Sequence, residues 1–164
     1  MEQVDNIHPK DYQGITPLHL AATNGYLEGC LVLLHHLKDK SPIDDYVETP
    51  MHKPAKEGHL RVYEAIMNQA ENKNPVDNFG RTPLRIAAKE CHGDIYELII
   101  ANVKDKNPRN SDGVTPLHSA AKKGHLHISK EIVEHVEKKK ILKMLLAGYP
   151  FTGHLVHVIS GVVC

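Results

Sequence analysis

The apolar residues of this chain fall into a repeating two-part pattern. Short runs rich in Leu and Ala, such as PLHLAA, PLRIAA and PLHSAA, each open on Thr-Pro. A longer stretch with a one-sided apolar stripe follows each run. In the last copy the stripe is Ile128, Ile132, Val133 and Val136, spaced i, i+4, i+5 and i+8, which predicts a helix buried along one face. Thr before Pro reads as a helix start, the Thr hydroxyl capping the first turn and Pro taking the first helical position. Gly25, Gly58 and Gly124 close the short runs, because glycine accepts the positive φ of a helix end. Polar connectors carrying Pro and Asp lead to Gly14, Gly80 or Gly113, which suits a tight turn. The pattern therefore predicts helix, turn, helix and projecting turn, several times over.

The period is fixed. Thr-Pro recurs at Thr16, Thr49, Thr82 and Thr115, each step being 33 residues. Pro9, Pro42, Pro75 and Pro108 keep the same step, as do Asp11, Asp44, Asp77 and Asn110. So do Leu18, Met51, Leu84 and Leu117; Ala22, Ala55, Ala88 and Ala121; and Leu33, Ile66, Ile99 and Ile132. Many independent slots in one register mark a stacked repeat architecture, in which each unit buries its apolar face against the next. With these residues in hand, GITPLHLAATNGYLE, GRTPLRIAAKECHGD and GVTPLHSAAKKGHLH resemble the ankyrin repeat, whose period and T-P-L-H-x-A-A signature they share. The likeness covers about Val4 to Lys139, with repeats at about 11–43, 44–76, 77–109 and 110–139. It implies an all-α helix-turn-helix solenoid with projecting β-turns over 1–139, and a separate apolar tail over 140–164.

Departures from the pattern carry expectations of their own. Repeat two has Val47 where the turn glycine belongs and Pro54 five residues past the Thr49 cap. Proline inside a helix costs about 3 kcal/mol, so repeat two is the expected soft joint. Repeat three has Arg85 in the histidine slot and Cys91 in a turn-glycine slot. Repeat one has Gly29 where the stack would take Val62, Ile95 or Ile128.

The period calls for Pro at 141 and Thr at 148, but the chain has Ile141 and Gly148, so the repeat stops near Lys139. From Met144 to Val163 twenty residues contain no Asp, Glu, Lys or Arg, and Lys138 to Lys140 precede them. That is the length of a membrane span with a basic flank. Only twelve of the twenty are apolar, and Pro150, His154, His157 and three glycines interrupt them. The favoured expectation is a packed or disordered tail, with a short helix from Lys139 to Ala147 covering the apolar face of the last repeat. A membrane anchor over 144–163 is the alternative.

Composition narrows the function. Lys plus Arg and Asp plus Glu are each 20, for a formal net charge of zero. A neutral chain argues against electrostatic capture of nucleic acid, without excluding a local basic patch. The three cysteines, Cys30, Cys91 and Cys164, are widely spaced and form no C-x-x-C pair, so neither a disulfide framework nor a zinc ribbon is expected. No apolar leader opens the chain, and a reducing, cytoplasmic setting is the expectation.

Thirteen histidines invite a metal or catalytic reading. The lattice accounts for six of them: His19, His52 and His118 share one slot, and His59, His92 and His125 another. Copies of a slot lie a repeat apart and do not converge on one ion, so they read as joints between repeats. His127, Glu131 and His135 are spaced i, i+4, i+8 but lack H-E-x-x-H and read as a solvated helix face. Adjacent Cys91 and His92 offer no oxyanion site. No nucleophile elbow, phosphate loop or dinucleotide fingerprint occurs. No enzyme, metal or cofactor is therefore expected.

The resemblance implies a module that binds another protein, most simply as a monomer. Turn tips and first-helix faces on a rigid scaffold form a surface free to vary. The candidate tip residues are Tyr12, Gln13 and Ile15; Asp45, Tyr46 and Glu48; Asn78, Phe79 and Arg81; and Ser111, Asp112 and Val114. The candidate helix residues are Thr23 and Asn24, Lys56 and Glu57, Lys89 and Glu90, and Lys122 and Lys123. Aromatic Tyr12, Tyr46 and Phe79 are the expected energetic anchors, unless they only pack the turns. Two rival expectations remain: a membrane-tethered adaptor, and a fragment of a longer array.

Overall fold

A computed structural model describes residues 9–146 of the chain. It contains eight helices among those residues: α1 (Pro17–Thr23), α2 (Leu27–His36), α3 (His52–Glu57), α4 (Leu60–Gln69), α5 (Pro83–Glu90), α6 (Gly93–Asn102), α7 (Pro116–Lys123) and α8 (Leu126–Leu146). They alternate between two layers. The short helices α1, α3, α5 and α7 pack in a row, and the longer α2, α4 and α6 form a second row against them. The core lies between the rows and runs the length of the stack. Leu18, Ala22, Met51, Ala55, Leu84, Ala88, Ile66 and Ile99 are all fully buried in it. Small Ala at the inner contacts lets the helices approach closely, as the Ala-rich runs predict.

The projecting turns are built by the Asp slot. Asp77 Oδ1 accepts hydrogen bonds from the backbone N–H groups of Phe79 and Arg81, both at 2.8 Å. Asp11 and Asp44 do the same for Gln13 and Ile15, and for Tyr46 and Glu48. Asn110 keeps one such bond, from Val114 N–H at 2.7 Å. A side chain that replaces the missing backbone partner is what folds each turn back on itself.

The two glycine slots hold left-handed backbone throughout, whatever residue occupies them. Gly14, Gly80 and Gly113 have positive φ, and so does Val47 at 60°. Gly58 and Gly124 cap their helices in the left-handed conformation, and Cys91 does so at φ 67°. Val47 and Cys91 are the positive-φ residues other than glycine among the described residues, both at positions where the lattice calls for glycine.

Three expectations change on stacking. Pro54 does not sit in a helix interior. Helix α3 starts at His52, two residues later than its counterparts, and Pro54 falls in its first turn, where an N–H would have no helical acceptor. The sequence shortens the helix instead of breaking it. The stripe of the last helix is only half covered: Ile128 and Ile132 are buried, but Val133 and Val136 are 46% and 37% exposed. No further helix among the described residues packs there to bury the rest. Finally, α8 runs unbroken from Leu126 to Leu146, with no separate cover helix starting at Lys139. The remainder of the apolar tail lies outside the described residues. Among the described residues no helix is long and apolar enough to cross a membrane.

Candidate interaction groove

The histidine slots are the joints between repeats. His19 Nδ1 accepts from Thr16 N–H at 3.2 Å and also meets the Thr16 hydroxyl at 2.9 Å. That leaves Nε2–H to donate to the Glu48 carbonyl of the next turn at 3.0 Å. His52 repeats the arrangement between Thr49 and the Arg81 carbonyl, the latter at 3.4 Å. Burial pushes the pKa of both imidazoles below the ordinary value of 6.5, because charging them would cost solvation that the interior does not return. The second slot reaches backwards. His59, His92 and His125 bond through Nε2 to the carbonyls of Thr23, Lys56 and Lys89, each 36 residues earlier. Among the described residues no cluster of three or more His, Cys, Asp or Glu is arranged to hold a metal ion.

One expected solvated position is otherwise. Glu131 is half-buried, and its Oε2 is sealed from solvent with no hydrogen-bond partner among the described residues. Burial, followed by the neighbouring Glu97 carboxylate, holds Glu131 above its ordinary value of 4.5. Its position on the face that meets α6 accounts for this.

On the other side of the inner helices, turns and helix faces enclose a groove of about 410 Å³. Ile15, Leu20 and Thr23 line it from repeat one; Glu48, His52, Lys53, Lys56 and Glu57 from repeat two; and Arg81, Arg85, Ile86, Lys89 and Glu90 from repeat three. The groove thus brings together Ile15, Thr23, Glu48, Lys56, Glu57, Arg81, Lys89 and Glu90, all singled out from sequence. It leaves the tip residues Tyr12, Gln13, Asp45, Tyr46, Asn78, Phe79, Ser111, Asp112 and Val114, and the helix residues Asn24, Lys122 and Lys123, outside its walls. Leu20, His52, Lys53, Arg85 and Ile86 are the lining residues that sequence reasoning missed. They stand in slots three and four residues past the Thr cap, where a histidine joint or a core residue is the natural reading. The available signal was variation: one slot holds Leu20, Lys53, Ile86 and Ser119, and the other substitutes Arg85 for histidine.

A charged ladder stiffens the middle of the groove. Lys53 bonds to Asp44 at 3.3 Å and to Glu48. Arg81 bonds to Glu48 at 2.6 Å and to Asp77 at 2.5 Å. Burial works against the Lys53 charge, but Glu48 and Asp44 outweigh it and hold its pKa above the ordinary value. The Arg81 guanidinium also lies over the Phe79 ring, 4.6 Å from its centre, a favourable cation–π arrangement. Phe79 in turn stacks on Tyr46 at 6.1 Å and 29°. The second and third tips are therefore one aromatic unit, each ring still about half exposed. Tyr12 stands apart and fully exposed on the first tip. Backbone bonds from Asp45 N–H to the Gln13 carbonyl and from Asn78 N–H to the Tyr46 carbonyl, both 3.0 Å, tie the first three tips side by side.

A family model described as ankyrin repeats in three copies matches residues 36–110. A model of the single ankyrin repeat matches residues 13–44 and 112–150. The second match extends past Lys139, where the lattice of conserved spacing stops. No curated protein matches the chain closely enough to serve as a relative.

Proposed function

The chain belongs to the ankyrin repeat family, whose repeats are in general protein–protein interaction modules and not catalysts, and on that premise we propose that it is an adaptor that binds a partner protein along the groove and turn tips. One observation carries this reading. A continuous groove crosses three repeats joined by His19 and His52 in one slot and by His59, His92 and His125 in the other, while the lining slots of Ile15, Glu48 and Arg81 and of Leu20, Lys53 and Ile86 differ from copy to copy. These joints keep the surface rigid, so little ordering entropy is lost on binding. Varied lining residues give it a particular specificity. The Tyr46–Phe79 pair with Arg81 supplies the anchor, since aromatic and Arg side chains dominate interface energies. The adaptor works as a monomer in a reducing, cytoplasmic setting, in keeping with free Cys30 and Cys91.

Affinity capture tests the reading. Two surface-altered proteins are compared with the wild type: one with Tyr12, Tyr46 and Phe79 changed to Ala, and one with Lys56→Glu and Lys89→Glu. A control carries Arg61→Ala and Glu64→Ala on the outer helix α4. Partner recovery should fall sharply for the first two and hold for the control. Recovery that falls only for the control would place binding on the outer layer and end the proposal.

A further inference from the structure

The inner face carries cations without an ion-pair partner among the described residues, although the chain as a whole is neutral. Every carboxylate that lines the groove is already paired: Glu48 with Lys53 and Arg81, Glu57 with Lys56, and Glu90 with Lys89. Lys53 and Arg81 are paired a second time, with Asp44 and Asp77, so the surplus positive charge lies at Arg85 and beyond it on α7. Arg85 uses one side-chain N–H, donating to the Gly80 carbonyl at 3.1 Å; among the described residues no carboxylate lies within ion-pair distance of its guanidinium, and Asp77 and Asp112 act on it only from farther off. It occupies the slot where His19 and His52 join one repeat to the next, so it is released from that joint and turned into the groove. Next along the row, exposed Lys122 and Lys123 on α7 form no ion pair among the described residues. Lys123 is near enough to Glu90 to help depress its pKa, after Lys89, which makes α7 a continuation of the same charged surface. The opposite end is apolar: Leu20 is 53% exposed and sits beside Ile15 in the groove wall.

We infer that the partner presents an extended acidic segment, with an apolar side chain seated at Leu20 and Ile15 and carboxylates paired with Arg85, Lys122 and Lys123. The inference rests on the groove being the binding surface and adds the chemistry of what binds there. Charge complementarity selects the acid: a basic segment would meet unpaired cations, and a neutral one would leave them without compensation. Arg85 is suited to hold a carboxylate in a two-point grip, because its planar fork matches that shape. Geometry sets the spacing. Inner helices pack at roughly 8–10 Å, so Leu20 and Arg85, two helices apart, are separated by roughly 20 Å. An extended chain advances about 3.3 Å per residue, which puts the apolar residue and the first carboxylate about six residues apart.

The test is a selection of random-sequence displayed peptides on the full chain, followed by titration of the enriched peptides with the amides of Ile15, Leu20 and Ile86 observed by NMR. Enriched sequences should carry an apolar residue and a downstream or upstream acidic cluster at that spacing. Their affinity should weaken with salt. It should drop about tenfold, or ~1.4 kcal/mol, in the Lys122→Glu, Lys123→Glu protein and when the peptide's acids become amides. Arg85→His, which restores the residue of the other repeats and keeps the fold, should weaken binding in the same direction. Enriched peptides that shift the groove amides without acidic bias overturn the inference and leave the binding surface in place. Enriched peptides that shift only outer-helix amides overturn both, as does a selection that enriches nothing. Displacement of the acidic peptide by oligothymidylate at equal charge would reassign the cations to nucleic acid and overturn it as well.

Discussion

Two side chains hold backbone that the lattice reserves for glycine. Val47 at φ 60° and Cys91 at φ 67° keep a Cβ where left-handed geometry crowds it, at a cost of roughly 1–2 kcal/mol per residue. Glycine gives back part of that as unfolded-chain entropy. Val47→Gly and Cys91→Gly should therefore each raise unfolding free energy in urea by about 1 kcal/mol; a loss on both would mean that side-chain packing outweighs strain. The buried histidines set the acid limit. Burial holds the folded pKa of His19 and His52 below the ordinary 6.5. The unfolded chain therefore takes up protons first as pH falls, and stability is full above about 6.5 and lost on the way down through the folded values. The urea midpoint should fall between pH 7 and pH 5, less steeply in His52→Gln; a flat profile would contradict this. Glu131 has the opposite sign. Its folded pKa is raised above 4.5 by burial, so the native state keeps a proton that the unfolded state releases, and stability declines as pH rises through that window. Glu131→Gln should raise the melting temperature at pH 7, with the gain shrinking toward pH 4.

At the level of elements, the helix starts, the turns and the two-layer order were legible because each Thr-Pro, Asp and Gly recurs at the same step and each acts locally. What escaped was relational. That Lys53 would reach Asp44 and Glu48, and that Arg81 would bridge Glu48 and Asp77, depends on turns brought together by stacking. Arg85 could be recognised as a departure, but its release into the groove needed the His19 and His52 bonds for comparison. The spacing in α8 predicts a single apolar stripe, yet Val133 and Val136 stay exposed because no further helix among the described residues covers them. Five residues past the Thr49 cap, Pro54 predicts an interior break, but the shift of the α3 start to His52 is invisible to spacing alone. Repeat two remains the place where the ladder is shortest, six residues in α3 against eight in α5. Amides of α3 should thus exchange faster than those of α5. Equal protection would show that the Lys53–Glu48–Arg81 ladder offsets the two lost residues.

Across the whole molecule, the joints and the surface are largely separate sets of residues, with His52 serving as both and Arg85 giving up a joint to face the groove. Histidines, Thr caps and Asp turns fix the distance between repeats, and the other groove residues differ without disturbing them. This division is why thirteen histidines need no metal to account for the six lattice copies, and why function is argued from a surface and not from a reactive centre. A photo-crosslinking residue is introduced singly at Thr23, Lys56, Lys89 and Lys122 along the inner face, and at Arg61, Glu64 and Glu97 along the outer helices, and each protein is irradiated with its captured partner. Covalent adducts are expected from the inner positions and none from the outer ones. Adducts from Arg61, Glu64 or Glu97, with the inner face silent, would contradict binding along the groove.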